Sequence, residues 1–344
     1  MRKSKVVMFG LVAALAASIT LATAGAGATK PNAQFTIGFI PPVLANPAIK
    51  ALNDGIAKKA QSLGMGFETI GGQYSPQAQI VAMDAAIQKK VSMILIWPLD
   101  PKGIQPSFLK AKAAGIPILA IWSPGVPNID GNFMYNDGGA IQKIAQMAAA
   151  EVKKEGKQCA VGIIQGIPVV NILNARNVGL AAGAKAAGCK ILEQQVNQQD
   201  NSSGALPIVQ AWKTKWGSKM TAVLAYNDPS ALGAIAAKGG DFQPVVTGMN
   251  GDADGIAAVK SGAMFATGAV PNVEVGESMA QVAYDILNKK PYPRTVWFPF
   301  EILTKANVNS YVPWSTRLKG PVMKITFVKV NGLTLAKTTP DYSK

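Results

Sequence analysis

The chain has 344 residues, 49% of them hydrophobic and 15% charged, which suits about two domains with real cores and excludes wholesale disorder. It has no histidine, so it can build neither a Ser-His-Asp nor a Cys-His catalytic set, nor ligate a metal through imidazole. Its two cysteines, Cys159 and Cys189, cannot form a four-cysteine zinc site and are not spaced C-x-x-C, so no metal or cofactor is expected and a binding protein is favoured over an enzyme.

In chain order, Arg2, Lys3 and Lys5 precede an apolar run from Val6 to Ala22 and small residues through Ala28. This is the pattern of a cleaved secretory signal over 1–28, with Ala22-Thr23-Ala24 and Ala26-Gly27-Ala28 both fitting the cleavage site. The expectation is export to the periplasm as a soluble, monomeric protein. The formal net charge of +15 invites a nucleic-acid reading. However, the basic pairs Lys58-Lys59, Lys89-Lys90, Lys153-Lys154 and Lys289-Lys290 fall near expected helix ends, and no RNA-reading aromatic motif accompanies them. They read as solvated surface, and no nucleic acid is expected.

From Phe35 the chain alternates short apolar strands with helically spaced segments. Phe35–Ile40 reads as a buried strand, followed by Asn46 as N-cap, Pro47 at the first helical position, and Ile49, Leu52, Ile56, Ala60 and Leu63 on one helix face. Strands follow at Gly66–Ile70, Val91–Trp97, Ile116–Trp122 and Asn132–Tyr135, with a helix opening at Ser75-Pro76. The scheme then repeats. Strands are expected at Ala160–Ile164, Lys190–Gln195, Ala222–Tyr226, Pro244–Met249 and Met264–Ala269. Between and after them lie a helix carrying Ile172 and Leu180, then helices Ala205–Trp216, Ser230–Lys238, Asp254–Ser261 and Val273–Leu287. Such alternation specifies parallel sheets covered on both faces. The halves echo each other: Ile94–Pro101 and Val223–Pro229 both run from an apolar strand through an aromatic into an Asp-Pro turn. Two alike lobes suggest a cleft, with ligands outside the carboxyl ends of the strands.

A third pattern lies near the end, where Met323–Lys329 and Leu333–Lys337 flank Asn331-Gly332, the signal for a β-hairpin. No G-x-G-x-x-G follows the first strand, and no P-loop or G-x-S-x-G occurs, which argues against a Rossmann dehydrogenase or another enzyme.

Taken in order, several motifs resemble the periplasmic solute-binding proteins of the ribose- and galactose-binding type. They are Ala45-Asn46-Pro47, Gly115-Ile116-Pro117, Ile164-Gln165-Gly166 with Arg176 and Gly179, Asn227-Asp228 with Ala231–Ala234, Gly248–Gly251 with Asp254-Gly255, and Lys260–Gly262. The resemblance covers roughly Phe35 to Tyr311. It implies an α/β fold of two Rossmann-like lobes with parallel sheets, joined by a three-strand hinge (type I), with the hairpin as a C-terminal tail. The implied lobes are 33–136 with 271–300 and 137–270 with 301–312, leaving 313–344 as an extension. Gene-regulator relatives carry a DNA-binding helix pair where this chain has its leader.

The resemblance further implies capture of a small molecule by hinge closure and delivery to an ABC permease in the inner membrane. Alternatives are presentation to a chemoreceptor, or a non-sugar guest such as a nucleoside. Where aldose binders carry an Asp-Arg pair, this chain has Trp122 and Ser123; their aromatic pair after Asn-Pro is Ala48-Ile49; an Arg is Asn174; an Asp is Asn250. The implied pocket is therefore uncharged, with flat aromatic walls at Trp97 and Trp122 for the C–H side of a sugar, polyol or cyclitol. Amides at Asn46, Asn136, Asn174, Asn227 and Asn250 would meet its hydroxyls. Phe39 and Tyr74 are further candidates, and Arg176 reads as either a helix brace or a ligand contact. In this fold Cys159 and Cys189 would open neighbouring strands, close enough for a disulfide remote from the cleft; two free thiols are the alternative.

Overall fold

Apolar runs of four to six residues form the strands at the centre of the molecule, and the segments with helical spacing cover them. The computed structural model describes residues 34–342, so the leader expected over 1–28 lies outside the described residues. Among the described residues, no helix is long and apolar enough to cross a membrane, and no metal-holding cluster of Cys, Asp and Glu occurs.

The first half runs β1 (Thr36–Ile40), α1 (Pro47–Ser62), β2 (Gly66–Thr69), α2 (Pro76–Gln88), β3 (Met93–Ile96), α3 (Gln105–Ala113), β4 (Ile118–Ile121) and β5 (Gly131–Tyr135). The second runs α4 (Asp137–Lys154), β6 (Ala160–Gln165), α5 (Asn171–Ala186), β7 (Lys190–Val196), α6 (Ser202–Trp216), β8 (Ala222–Ala225), α7 (Asp228–Ala236), β9 (Val245–Asn250), α8 (Ala253–Ser261) and β10 (Ala266–Ala269). Then come α9 (Asn272–Leu287), β11 (Thr295–Phe298), β12 (Glu301–Thr304), α10 (Trp314–Lys319), β13 (Lys324–Val330) and β14 (Leu333–Thr339).

Two sheets result, ordered β13-β14-β11-β5-β4-β3-β1-β2 and β12-β10-β9-β8-β6-β7. The five-strand cores, β5-β4-β3-β1-β2 and β10-β9-β8-β6-β7, share one order and are parallel throughout. Strand period decides which face each residue covers. In β1 and β3, Ile37, Phe39, Met93 and Leu95 enter the core that holds residues of α1 and α9, whereas Ile40, Ile94 and Ile96 enter the one that holds residues of α2 and α3. The chain passes between the sheets after β5, after β10 and after β11, and returns to the first sheet after β12.

Close helix crossings depend on two glycines. A Cβ at Gly276 of α9 would collide with the Leu52 carbonyl of α1, and one at Gly183 of α5 would collide with the Gln142 carbonyl of α4. Any larger residue would force these helix pairs apart.

Cys159 and Cys189 immediately precede β6 and β7, whose register pairs Ala160 with Lys190, and they form a disulfide with Cα atoms 4.6 Å apart. The tail extends the first sheet: β14 pairs with β11 at Trp297–Leu335, and β13 closes the hairpin. Asn331 and Gly332 both take positive φ (48° and 79°), as a two-residue primed turn requires. Trp314 and Met323 pack on Ala48, Ala51 and Val273, and the Trp314 indole donates to Val270 O at 3.0 Å. Lys58 and Lys59 depart from the solvated-surface expectation. Lys59 is buried with its ammonium donating to Met323 O at 2.8 Å, and Lys58 donates to Arg317 O and Pro321 O. Burial of such stems is favourable because backbone carbonyls receive the charged ends.

Candidate functional site

Parallel strands of both sheets end toward a common gap, and the loops and helix N-termini that follow them converge there. A cavity lined from both sheets occupies this gap. Its lining includes Asn46 after β1, Tyr74 after β2, Trp97 and Leu99 after β3, and Ile172 and Arg176 on α5. Asp200 after β7, Tyr226 and Asn227 after β8, and Asn250 at the end of β9 complete the polar side.

One carboxylate organises the gap. Asn46 caps α1 by accepting from the Ala48 N–H at 2.9 Å, which leaves its amide nitrogen free to donate to Asp200 Oδ2 at 3.2 Å. Asn227 caps α7 in the same way, accepting from the Ser230 N–H at 2.9 Å and donating to Asp200 Oδ1 at 2.7 Å. The Tyr226 hydroxyl donates to that same oxygen. The two caps belong to different sheets, so Asp200 ties the two halves of the molecule together. Burial pushes its carboxyl above the usual value, partly offset by these donors and by the Arg176 charge.

Arg176 is buried, with Nε and Nη1 engaged. Its Nε donates to Asp137 Oδ1 at 2.6 Å, and its Nη1 to Tyr226 O at 3.0 Å and Asn250 Oδ1 at 2.9 Å. Asp137 opens α4 directly after the first passage between sheets, so this ion pair joins the crossing to the cavity wall. Burial pushes the Asp137 carboxyl up to about 6 against the pull of Arg176. Behind Asn250, Asp228 accepts from the Gly251 and Asp252 N–H groups at 2.9 Å and from the Thr267 hydroxyl at 2.6 Å, and burial raises it to about 6. Burial and the neighbouring Asp228 charge raise Asp252 well above the ordinary range. Tyr74 has a buried hydroxyl without a partner, and burial and Asp200 keep it protonated as a donor.

Six of the ten residues expected at the site line the cavity: Asn46, Tyr74, Trp97, Arg176, Asn227 and Asn250. Four do not. Phe39 shares the inward face of β1 with Ile37 and is wholly buried in the core. Trp122 takes a φ of +49°, and its indole N–H donates to Tyr135 O at 2.9 Å, which holds the end of β4 to β5. Asn136 caps α4, accepting from the Gly139 N–H at 3.0 Å. Asn174 lies on the exposed face of α5, away from the Ile172 and Arg176 side. Sequence reasoning missed Asp200 and Tyr226, and with them the charge in a pocket expected to have none. Tyr226 had a signal, since it follows β8 as Trp97 follows β3, in the strand–aromatic–Asp-Pro echo. Asp200 had none: it stands in a polar stretch, Asn197-Gln-Gln-Asp-Asn201, that reads as an ordinary turn.

Residues 37–291 match the family described as the periplasmic binding protein domain. The ribose import binding protein RbsB of Bacillus subtilis is 28% identical over 274 residues, covering 79% of this chain and 88% of its own. A xylitol-binding protein of Mycolicibacterium smegmatis is 26% identical over 259 residues, covering 73% and 71%. In fold, the chain superposes with a TM-score of 0.73 on a periplasmic solute binding protein of an ABC transporter from Actinobacillus succinogenes, solved with bound D-allose. That match is 22% identical and covers 81% of this chain and 100% of the other. With its two like-ordered parallel sheets and the cavity between their strand ends, the chain belongs to the periplasmic binding protein domain family.

Proposed function

We propose that the protein is an exported receptor of an ABC importer that captures a small neutral hydroxylated molecule, a sugar, polyol or cyclitol, between its lobes. The observation that carries this reading is the cavity at the carboxyl ends of both parallel sheets, lined from each side and spanned by the Asn46–Asp200–Asn227 bridge. The ribose and xylitol relatives support the ligand class.

In this reading the lobes are 33–136 with 271–300 and 137–270 with 301–312, 313–344 is the tail, and its described residues 313–342 fold back onto the first. Each lobe offers half a site: Asn46, Tyr74 and Trp97 on one, and Arg176, Asp200, Tyr226, Asn227 and Asn250 on the other. A guest that touches both halves favours the closed form by its differential contacts. Trp97 and Tyr226 serve as flat walls, the amides as donors and acceptors, and no covalent step is involved.

A thermal-shift screen tests the reading. A guest at 100 times its dissociation constant adds about 2.7 kcal/mol to stability, and small-angle scattering should show contraction on binding. If no sugar, polyol, cyclitol or nucleoside raises the melting temperature, the ligand class is wrong.

A further inference from the structure

We propose that the guest is amphiphilic: a small molecule with its hydroxyl groups gathered at one end and an apolar body along the rest. This rests on the receptor reading above and narrows its ligand class.

The first observation is the wall. Val43, Ile49 and Leu99 reach the cavity from the first sheet, and Val170, Ile172 and Leu173 from α5 and the turn before it. These residues belong to one apolar cluster that starts in the core beneath β1 and β3 and continues across the gap into the second lobe. A hydroxyl pressed against such a wall leaves water and gains no partner, which costs roughly tenfold or more in affinity. A molecule hydroxylated around its whole ring would suffer this at several positions.

The second observation is that the polar side chains gather on one side of the cavity, bonded to one another. Both functional atoms of Asn46 and of Asn227 are used, one in capping a helix and the other on Asp200. Asn250 accepts from Arg176 and donates to Asp252 at 3.3 Å. Arg176 is held by Asp137, Tyr226 and Asn250. What the polar side leaves for a guest is the remaining acceptor capacity of the Asp200 carboxylate, the Nη2 end of Arg176, the second amide hydrogens of Asn46 and Asn227, and the unpartnered Tyr74 hydroxyl. Tyr74 and Asp200 follow the second strand of their respective sheets and both line the cavity. An alcohol that donates to Asp200 while accepting from one of these donors fixes the polar end of the guest there.

Calorimetric titration of the disulfide-bonded mature protein with matched pairs tests this. Suitable pairs are myo-inositol against cyclohexane-1,2-diol, and a hexose against its 6-deoxy counterpart. The less hydroxylated member should bind at least tenfold tighter, and cyclohexanol should bind tighter than cyclohexylamine. Ile172→Asn should weaken the less hydroxylated members about tenfold while sparing the polyols. Should that buried substitution prevent folding, Leu173→Asn, at a half-buried position on the same wall, gives the same readout. Tighter binding of the fully hydroxylated members, or of the amine, overturns the proposal and leaves the receptor reading intact. Absence of binding by every compound in the panel overturns both.

Discussion

The first sheet meets the cavity with Val43, Ile49 and Leu99 and, as hydrogen-bonding groups, Asn46, Tyr74 and the Trp97 indole, whereas the second brings Arg176, Asp200, Tyr226, Asn227 and Asn250. Yet the two sheets share a strand order, and equivalent positions face each other: Tyr74 and Asp200 each follow a second strand, Trp97 and Tyr226 each follow a third. Topology fixes where side chains arrive, and residue type decides whether a wall supplies shape or charge. The charged wall carries the greater electrostatic risk, because Asp137, Asp228 and Asp252 are all buried there around one guanidinium.

The largest test of this contrast is Arg176→Ala. It strands the Asp137 carboxylate and removes the donors to Tyr226 O and Asn250, so chemical denaturation should show a loss of about 3–5 kcal/mol. A loss below about 1 kcal/mol would mean that charge does not organise the second wall. Next, the disulfide supports only the second lobe and lies at the opposite ends of its strands from the cavity. Cys159→Ser opens a cross-link of sequence separation 30, and the chain-entropy estimate is a loss of roughly 3–4 kcal/mol. Ligand affinity should stay within about twofold.

The acid pair gives a pH signature. Asp137 and Asp228 have folded values of about 6 against an ordinary 3.8, so between these values the folded state binds more protons than the unfolded. Stability therefore falls as pH rises from about 4 to about 6, by on the order of a few kcal/mol, and Asp252, raised further, extends the fall. Scanning calorimetry across that window checks the sign; stability that rises with pH there would show that Arg176 outweighs burial. Trp97→Ala should cost about tenfold in affinity through lost apolar contact, while Trp122→Ala, off the cavity, leaves affinity unchanged. Asp252→Asn replaces a buried carboxyl, whose ionisation burial and the Asp228 charge oppose, with a neutral isostere; its stability should exceed the parent's at pH 7 and match it near pH 4, as denaturation at the two pH values would show.

Legibility in the sequence followed the strength of the local signal. Capping residues Asn46 and Ser75, the apolar runs of β1 and β3, and the Asn331-Gly332 turn all act over a few residues, and each stands where its spacing places it. Thr295–Phe298 and Glu301–Thr304 carried no such signal. They are four residues long, separated by Pro299-Phe300, and become strands because β5 and β10 offer open edges. Trp122 shows the reverse case, an aromatic at a strand end whose positive φ and bond to Tyr135 take it out of the cavity.

The sequence by itself determined the alternation of strands and helices, the doubling of that unit, and the places of Cys159 and Cys189 just before two strands. All of these follow from periodicity and caps, which are local. Only the tertiary structure decided that Asp200 would stand between the caps of two lobes, that four aspartates would gather around Arg176, and that Lys59 would be buried under the tail. Those outcomes depend on segments far apart in the chain meeting in space, and burial sets the energy of a charge only once its neighbours are in place.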